Sequence, residues 1–193
     1  MPKRRYRAGM DRARIVRAAT VLSRRYGLEG WSLRQLTALL DTSPSVVFHH
    51  VGDRAALSEA VVSLLTSKFI SPGRDVRWSE WVRLVASPLR RNLAPWPGVA
   101  EWLVTRGPVF PHMMPVLEDG MFVLRRDGFG NESALVYSTL YSAVVGAVAH
   151  SQARLDEDER RGHRAIGRQL AGAQDGEGVR KLQEAMSDYL GDP

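Results

Sequence analysis

Residues 134–149 carry no charge and are apolar or small on every side. A helix with that pattern has no face to give to water, so the fold must cover it all round. The rest of its own domain covers about half of such a helix, and a second copy of the chain is the economical source of the remainder. Small residues Ser142, Gly146 and Ala147 permit close approach there, and a helix around Val179, Leu182 and Met186 would complete a four-helix seam. The expectation is a helical homodimer. The alternative is a central core helix in a monomer.

The rest of the chain agrees with an all-α fold, because helical periodicity dominates and no stretch sustains the period-two alternation of a sheet. Ile15, Ala18, Ala19, Leu22 and Tyr26 lie on one helical face, and Gly27 is placed to end that helix. Ser32 is placed to cap a short helix over 33–40, with Leu36, Leu39 and Leu40 inward. Ser43 followed by Pro44 opens a third helix ending near His50. Asp53 caps a fourth, with Leu57, Ala60, Val61, Leu64, Leu65 and Phe69 along one side, before a hinge-like Pro72-Gly73. Further helices are expected over about 78–94, kinked at Pro88, and over 97–106, 112–127, 132–155 and 177–190. The stretch 156–178 reads as a loop. Two domains follow: residues 1–71 for the short helices and 72–193 for the larger helical part.

Two short helices joined by a tight turn and preceded by a longer helix make a trihelical helix-turn-helix unit. Leu36, Leu40, Val47 and Val51 fall where the two crossed helices must touch, and Asp41 occupies the turn. Aspartate enters the left-handed region more readily than most residues, so it serves where glycine would be easiest.

Charge supports a polyanionic partner for this unit. The formal charge is +6, and residues 1–60 hold eleven basic against five acidic side chains, while 61–193 hold sixteen of each. All the net positive charge lies in the first third, the footprint of a domain that meets nucleic acid. With no cysteine in the chain, disulfides, thiolate metal sites and cysteine nucleophiles are excluded together. No uninterrupted apolar run reaches the length of a membrane span, and the basic N-terminus lacks a signal-peptide core. A cytoplasmic protein is expected.

Residues 11–58, above all the run from Ser43 to Leu57, resemble the DNA-binding domain of TetR-family transcriptional regulators. The layout beyond, with Trp81, Pro95-Trp96, Met121 to Leu124 and the long apolar helix, is similar to that family's ligand-binding and dimerisation domain. Against the family pattern, Asp41 replaces a glycine, Phe48 a tyrosine, Val51 a phenylalanine and Arg54 a lysine. Phe48 thereby loses the hydroxyl that the resemblance would direct to a phosphate, and Arg54 keeps the charge on a forked donor. The resemblance implies a sequence-specific regulator of a pseudo-palindromic operator, most simply a repressor released by a small molecule.

Phosphate contacts set register and base edges set specificity. Ser32, Arg34, His49, His50 and Arg54 are the phosphate candidates. Thr42, Ser43, Pro44, Ser45 and Val46 open the recognition helix toward the major groove, where Val46 can meet a thymine methyl. That set is poor in hydrogen-bonding groups, so Gln35 and the tail arginines Arg4 and Arg5, entering a minor groove, are expected to add specificity.

The larger domain is rich in aromatic and methionine side chains, the material of apolar ligand pockets. Trp81, Trp102, Phe110, Met113, Met114, Tyr137 and Tyr141 are the ligand candidates; at each, ordinary core packing is the competing reading. No cofactor and no metal site is expected, since His112, His150 and His163 are scattered in sequence. An enzyme is disfavoured by the lack of a Walker loop, GxSxG or HExxH motif. A DNA-binding or partner-binding protein without a ligand is the remaining alternative, favoured if residues 75–140 enclose a filled core.

Overall fold

A computed structural model of the chain describes residues 10–108 and 110–152, and every element among them is helical. Helix α1 (Arg12–Tyr26) starts at Asp11, whose carboxylate accepts from the Arg14 amide at 2.6 Å, and stops at Gly27 with φ 86°. Its inner face is Ile15, Val16, Ala19, Leu22 and Ser23; Tyr26 is half-exposed at the last turn. Helix α2 (Leu33–Leu40) has a full capping box, in which Ser32 accepts from the Gln35 amide while the Gln35 carbonyl oxygen accepts from the Ser32 amide. Asp41 then takes φ 50° and ψ 55°, the left-handed conformation the turn demands.

Helix α3 (Pro44–Val51) lays Val47 and Val51 against Leu36 and Leu40 in the buried core, while Leu39 is half-exposed and stands outside it. An eight-residue helix that leans on two neighbours buries one narrow stripe, and Leu39 lies off it. Helix α4 (Arg54–Thr66) is capped by Asp53 through the Ala56 amide at 2.8 Å. It buries Leu57, Ser58, Val61, Val62 and Thr66 and leaves Leu64 half-exposed. It ends well before Pro72, where the Thr66 and Ser67 hydroxyls turn back to the carbonyls of Val62 and Leu64.

The remaining helices are α5 (Trp78–Leu93), α6 (Val99–Arg106), α7 (Met114–Leu124) and α8 (Ser133–Gln152). A short 3-10 turn at Pro111–Met113 precedes α7, and a wide π turn at Arg125–Phe129 follows it, closed by Gly128 at φ 110°. The expected helix over 112–127 is thus shorter and ends in that turn. Contacts group the described residues up to Ala149 into one compact unit. Within it a single buried cluster runs from Ile15 through Trp102 and Phe110 to Val148, crossing the position between 71 and 72 where the sequence places a boundary. The expected helix over 177–190 and the loop over 156–178 lie outside the described residues.

On α8 the exposed positions Ala134, Leu135, Ser138, Thr139, Ser142 and Ala143 form one continuous stripe, with open space beside Gly146. By length and composition the helical stretch Pro111–Gln152 contains an 18-residue run apolar enough to cross a membrane, 17% of it buried. Counting uninterrupted apolar residues in sequence does not register it.

Candidate nucleic-acid interface and effector pocket

The first turn of α3 stands free of the core. Ser43, Pro44 and Ser45 are exposed and Val46 is half-buried, while Val47 behind them is fully buried. The Ser43 and Ser45 hydroxyls bond each other at 2.9 Å, so Ser43 does not cap the helix with its side chain. Pro44 has no amide proton and the Val46 amide turns to the Ser43 carbonyl at 3.1 Å, which leaves the Ser45 amide in this first turn to suit an anion. Along the same helix His49 is exposed and His50 half-buried, their rings edge-on with centroids 5.4 Å apart, and Phe48 is 40% exposed. Arg34 and Gln35 are exposed at the start of α2 beside Ser32. The Gln35 carbonyl oxygen is committed to the capping box, which does not use its amide donors. Thr42 is half-buried, its amide bonded to the Thr37 carbonyl. Arg4 and Arg5 lie outside the described residues.

Arg54 has other partners. Its guanidinium lies over the Trp31 ring at 3.4 Å from the centroid, Nη2 donates to the Leu28 carbonyl at 3.0 Å, and Nε approaches Glu29 at 3.4 Å. Glu29 also accepts from the Ser58 hydroxyl at 2.8 Å. Leu28 in turn donates its amide to the Pro97 carbonyl at 2.8 Å, so one residue joins the α5–α6 turn to the start of α4. A second tie lies at the far end of α4. Thr66 Oγ1 lies 2.9 Å from Val62 O and is hydrogen-bonded to His112 Nε2, 3.0 Å away, with the donor set by the imidazole tautomer. His112 stacks on Phe110, and Phe110 on Trp102, at centroid separations of 5.4 and 5.8 Å.

The connection between α4 and α5 is clamped. Asp119 on α7 accepts from the Ser71 hydroxyl at 2.7 Å and from Arg74 Nε. Arg126 donates to the carbonyls of Arg74 and Val76, the latter at 2.6 Å, and Asp127 accepts from the Trp78 amide at 2.7 Å at the start of α5. The Ser71 hydroxyl and then Arg74 hold the Asp119 carboxyl below the usual carboxylate range; Arg126 and then the Trp78 amide do the same for Asp127. These partners come from about 50 residues away in sequence, and reading along the chain misses them.

Of the seven ligand candidates, Trp81, Tyr137 and Tyr141 line one pocket, completed by Val82, Val85, Ala86 and Leu89 of α5, Leu124 of α7, and Leu140 and Val144 of α8. Trp102, Phe110 and Met113 are buried in the main core instead, and Met114 is half-exposed. The aliphatic wall is detectable in sequence as the spacing of Trp81, Val82, Val85, Ala86 and Leu89 on one face of α5. The pocket has about 40 Å³ of open volume and no charged side chain in its wall. Burial pushes the Tyr137 phenol up to about 12, and burial first, then Tyr137, raises Tyr141 as well. The Tyr141 hydroxyl donates to the Leu103 carbonyl at 3.0 Å. The dimer candidates Ser142, Gly146 and Ala147 lie on α8, two of them half-buried, while Val179, Leu182 and Met186 fall outside the described residues.

No family profile matches the chain, and no curated protein does. Solved structures do. The Streptomyces coelicolor TetR family protein ActR in complex with actinorhodin is similar at 24% identity and a TM-score of 0.69, over 95% of this chain and 87% of that one. A single-residue variant of TetR from Acinetobacter baumannii, in complex with minocycline, is similar at 16% identity and 0.67, over 94% and 95%. SCO0253, a TetR-family transcriptional regulator from Streptomyces coelicolor, is similar at 19% identity and 0.65, over 88% and 100%. Matched over nearly its whole length to these regulators, the chain has the TetR-family fold.

Proposed function

We propose that the protein is a cytoplasmic, homodimeric, sequence-specific DNA-binding regulator, a repressor that a small, largely apolar molecule releases from a pseudo-palindromic operator. The observation that carries this reading is the trihelical unit itself: α3 offers Ser43 to Val46 on an exposed first turn, flanked by Arg34, His49 and His50. Neighbours of the same fold that are complexed with actinorhodin and minocycline support the ligand half of it. Within the chain, ligand state has two routes to α4, through Pro97–Leu28–Arg54 and through His112–Thr66, and the clamp carries movement of α7 into the connection before α5.

The small pocket favours a second reading. At about 40 Å³ it is well below the roughly 150 Å³ of an engineered apolar cavity that takes benzene, as a ligand-independent DNA-binding protein with a filled core would have. A switch, however, requires differential affinity: a pocket equally open in both states would shift nothing. A nearly closed pocket in the DNA-binding form, opened by the ligand, meets that requirement.

The test is selection of binding sites from random duplex DNA with the full chain, followed by binding across a salt series. An enriched inverted repeat is expected, with affinity falling steeply as salt rises. Val46→Ser and Ser45→Ala should change which bases are enriched. Failure to enrich any sequence overturns the reading.

A further inference from the structure

Three tryptophans, Trp31, Trp81 and Trp102, are buried, and the indole donors of the first two are treated differently. Trp31 Nε1 donates to the Ser23 hydroxyl at 2.9 Å. Trp81 is 5% exposed, and its Nε1 has no acceptor among the described residues. An indole N–H removed from water without an acceptor is costly, and buried Trp donors are ordinarily paired. The unpaired donor belongs to a residue that lines the pocket between α5, α7 and α8.

The surroundings of that ring are arranged around it. Gly120 on α7 is where a Cβ would come within 2.6 Å of Trp81 Cη2 and 2.7 Å of Tyr137 Cε2, so a helix position is left without a side chain to admit the two rings. The rings sit tilted at 50° with centroids 6.2 Å apart. The wall's other polar groups are two tyrosine hydroxyls: that of Tyr141 spends its proton on the Leu103 carbonyl, and that of Tyr137 belongs to a half-buried ring. Every other lining residue is an aliphatic or a tyrosine, so the wall holds no charge to pair an ion. An unpaired ion moved into such a wall loses hydration that nothing replaces.

Taking the ligand-responsive reading above as its basis, we infer that this pocket selects an uncharged, mainly apolar molecule carrying a hydrogen-bond acceptor, such as a ketone oxygen, that pairs with Trp81 Nε1. Anions of the same shape are rejected. A hydrocarbon of the same shape enters by burial alone and leaves the indole unpaired.

Three probes of nearly one shape separate these cases: acetophenone, isopropylbenzene and benzoate. The full chain, labelled with ¹⁵N at its tryptophans, is titrated with each, and the Trp81 indole resonance is assigned from its loss in Trp81→Phe. Acetophenone should move that resonance downfield to saturation, and isopropylbenzene should bind without that downfield move. Benzoate should bind at least about 100-fold more weakly than acetophenone, the penalty of an unpaired buried charge. In Trp81→Phe the acetophenone affinity relative to isopropylbenzene should fall about three- to tenfold, the worth of one neutral hydrogen bond. A Trp81 resonance unmoved at saturating acetophenone, benzoate binding as well as the ketone, or no binding by any probe would each overturn the inference; the first two are read on the unmodified chain and do not depend on the variant folding. Operator affinity measured with the same samples separates the two levels. An indole shift with unchanged DNA binding leaves the pocket chemistry standing and removes the switch, whereas DNA release with no indole shift does the reverse.

Discussion

Arg54 shows how a residue read for its charge has partners within the fold that the reading does not name. From sequence it is a cation at the start of a helix that follows the recognition helix, which is a phosphate-contact position. In the structure its guanidinium is stacked on Trp31 and bonded to Leu28 O, and only a third of its side chain is exposed. Its pair with Glu29 is the weak part, because Glu29 is largely exposed and solvent screens the attraction. The stacking and the carbonyl bond are the strong part. Replacing Arg54 by alanine should therefore lower stability by about 1–3 kcal/mol, summing a partly desolvated cation–π contact and one charged hydrogen bond. Arg54→Lys should recover only part of this, since an ammonium lacks the fork that serves the ring and the carbonyl together. Thermal unfolding checks it: an unchanged melting temperature in Arg54→Ala, with a flatter salt dependence of DNA binding, would make Arg54 a phosphate contact and nothing more. Nothing in the spacing of residues 31 and 54 announces that they touch. Local reading finds the charge and misses its platform.

At the scale of elements the signals that survive are those written within a turn or two. The caps at Ser32 and Asp53, the proline at the start of α3, the left-handed Asp41 and the stop at Gly27 all act over at most four residues, and each is legible. The α4–α5 connection is not. Proline and glycine at 72 and 73 mark a bend, but whether a bend moves depends on what holds it, and here Asp119, Arg126 and Asp127 reach back from α7 and the π turn. The same clamp fixes a pH dependence. Asp119 and Asp127 titrate lower in the folded chain than in the unfolded one, where the carboxyl has its ordinary value of 3.8. Their stabilisation is therefore complete above that value and lost as pH falls through the depressed folded values. Between about pH 5 and 8 the clamp should contribute a constant amount. Below about pH 4 the melting temperature should drop faster in the parent than in Asp119→Asn, which has no carboxylate to protonate. Parallel melting curves for the two proteins across roughly pH 3 to 7 would show that Asp119 holds nothing.

At the scale of the whole molecule, α8 keeps one face outside the core of the described residues. The stripe of Ala134, Leu135, Ser138, Thr139, Ser142 and Ala143 is exposed on α8, and Leu135 is 70% exposed. The opposite edge of the same helix enters the core through Val145 and Val148. Among the described residues the core takes one side of this helix, and the other is uncharged and, apart from Leu135, built of small residues; the expectation is that a second copy of the chain covers it. Which residues would face it from the C-terminal segment is beyond the described part of the chain. A two-fold axis beside α8 would make two copies of α3 available to one DNA site, and operator recognition needs them about 34–36 Å apart along one face of the duplex. Gly146 gives the sharpest handle, because a Cβ built there meets nothing within 4 Å among the described residues. Gly146→Arg should leave the fold of each chain intact and place a charge without a partner in the seam, at a cost of several kcal/mol per buried ion. Light scattering should then report a monomer where the parent is a dimer. Operator binding should weaken far more than binding to unrelated DNA, because a monomer loses the second half-site but keeps its phosphate contacts. If the variant and the parent have the same mass, α8 is not the seam, and the exposed stripe must be covered by something other than its own copy.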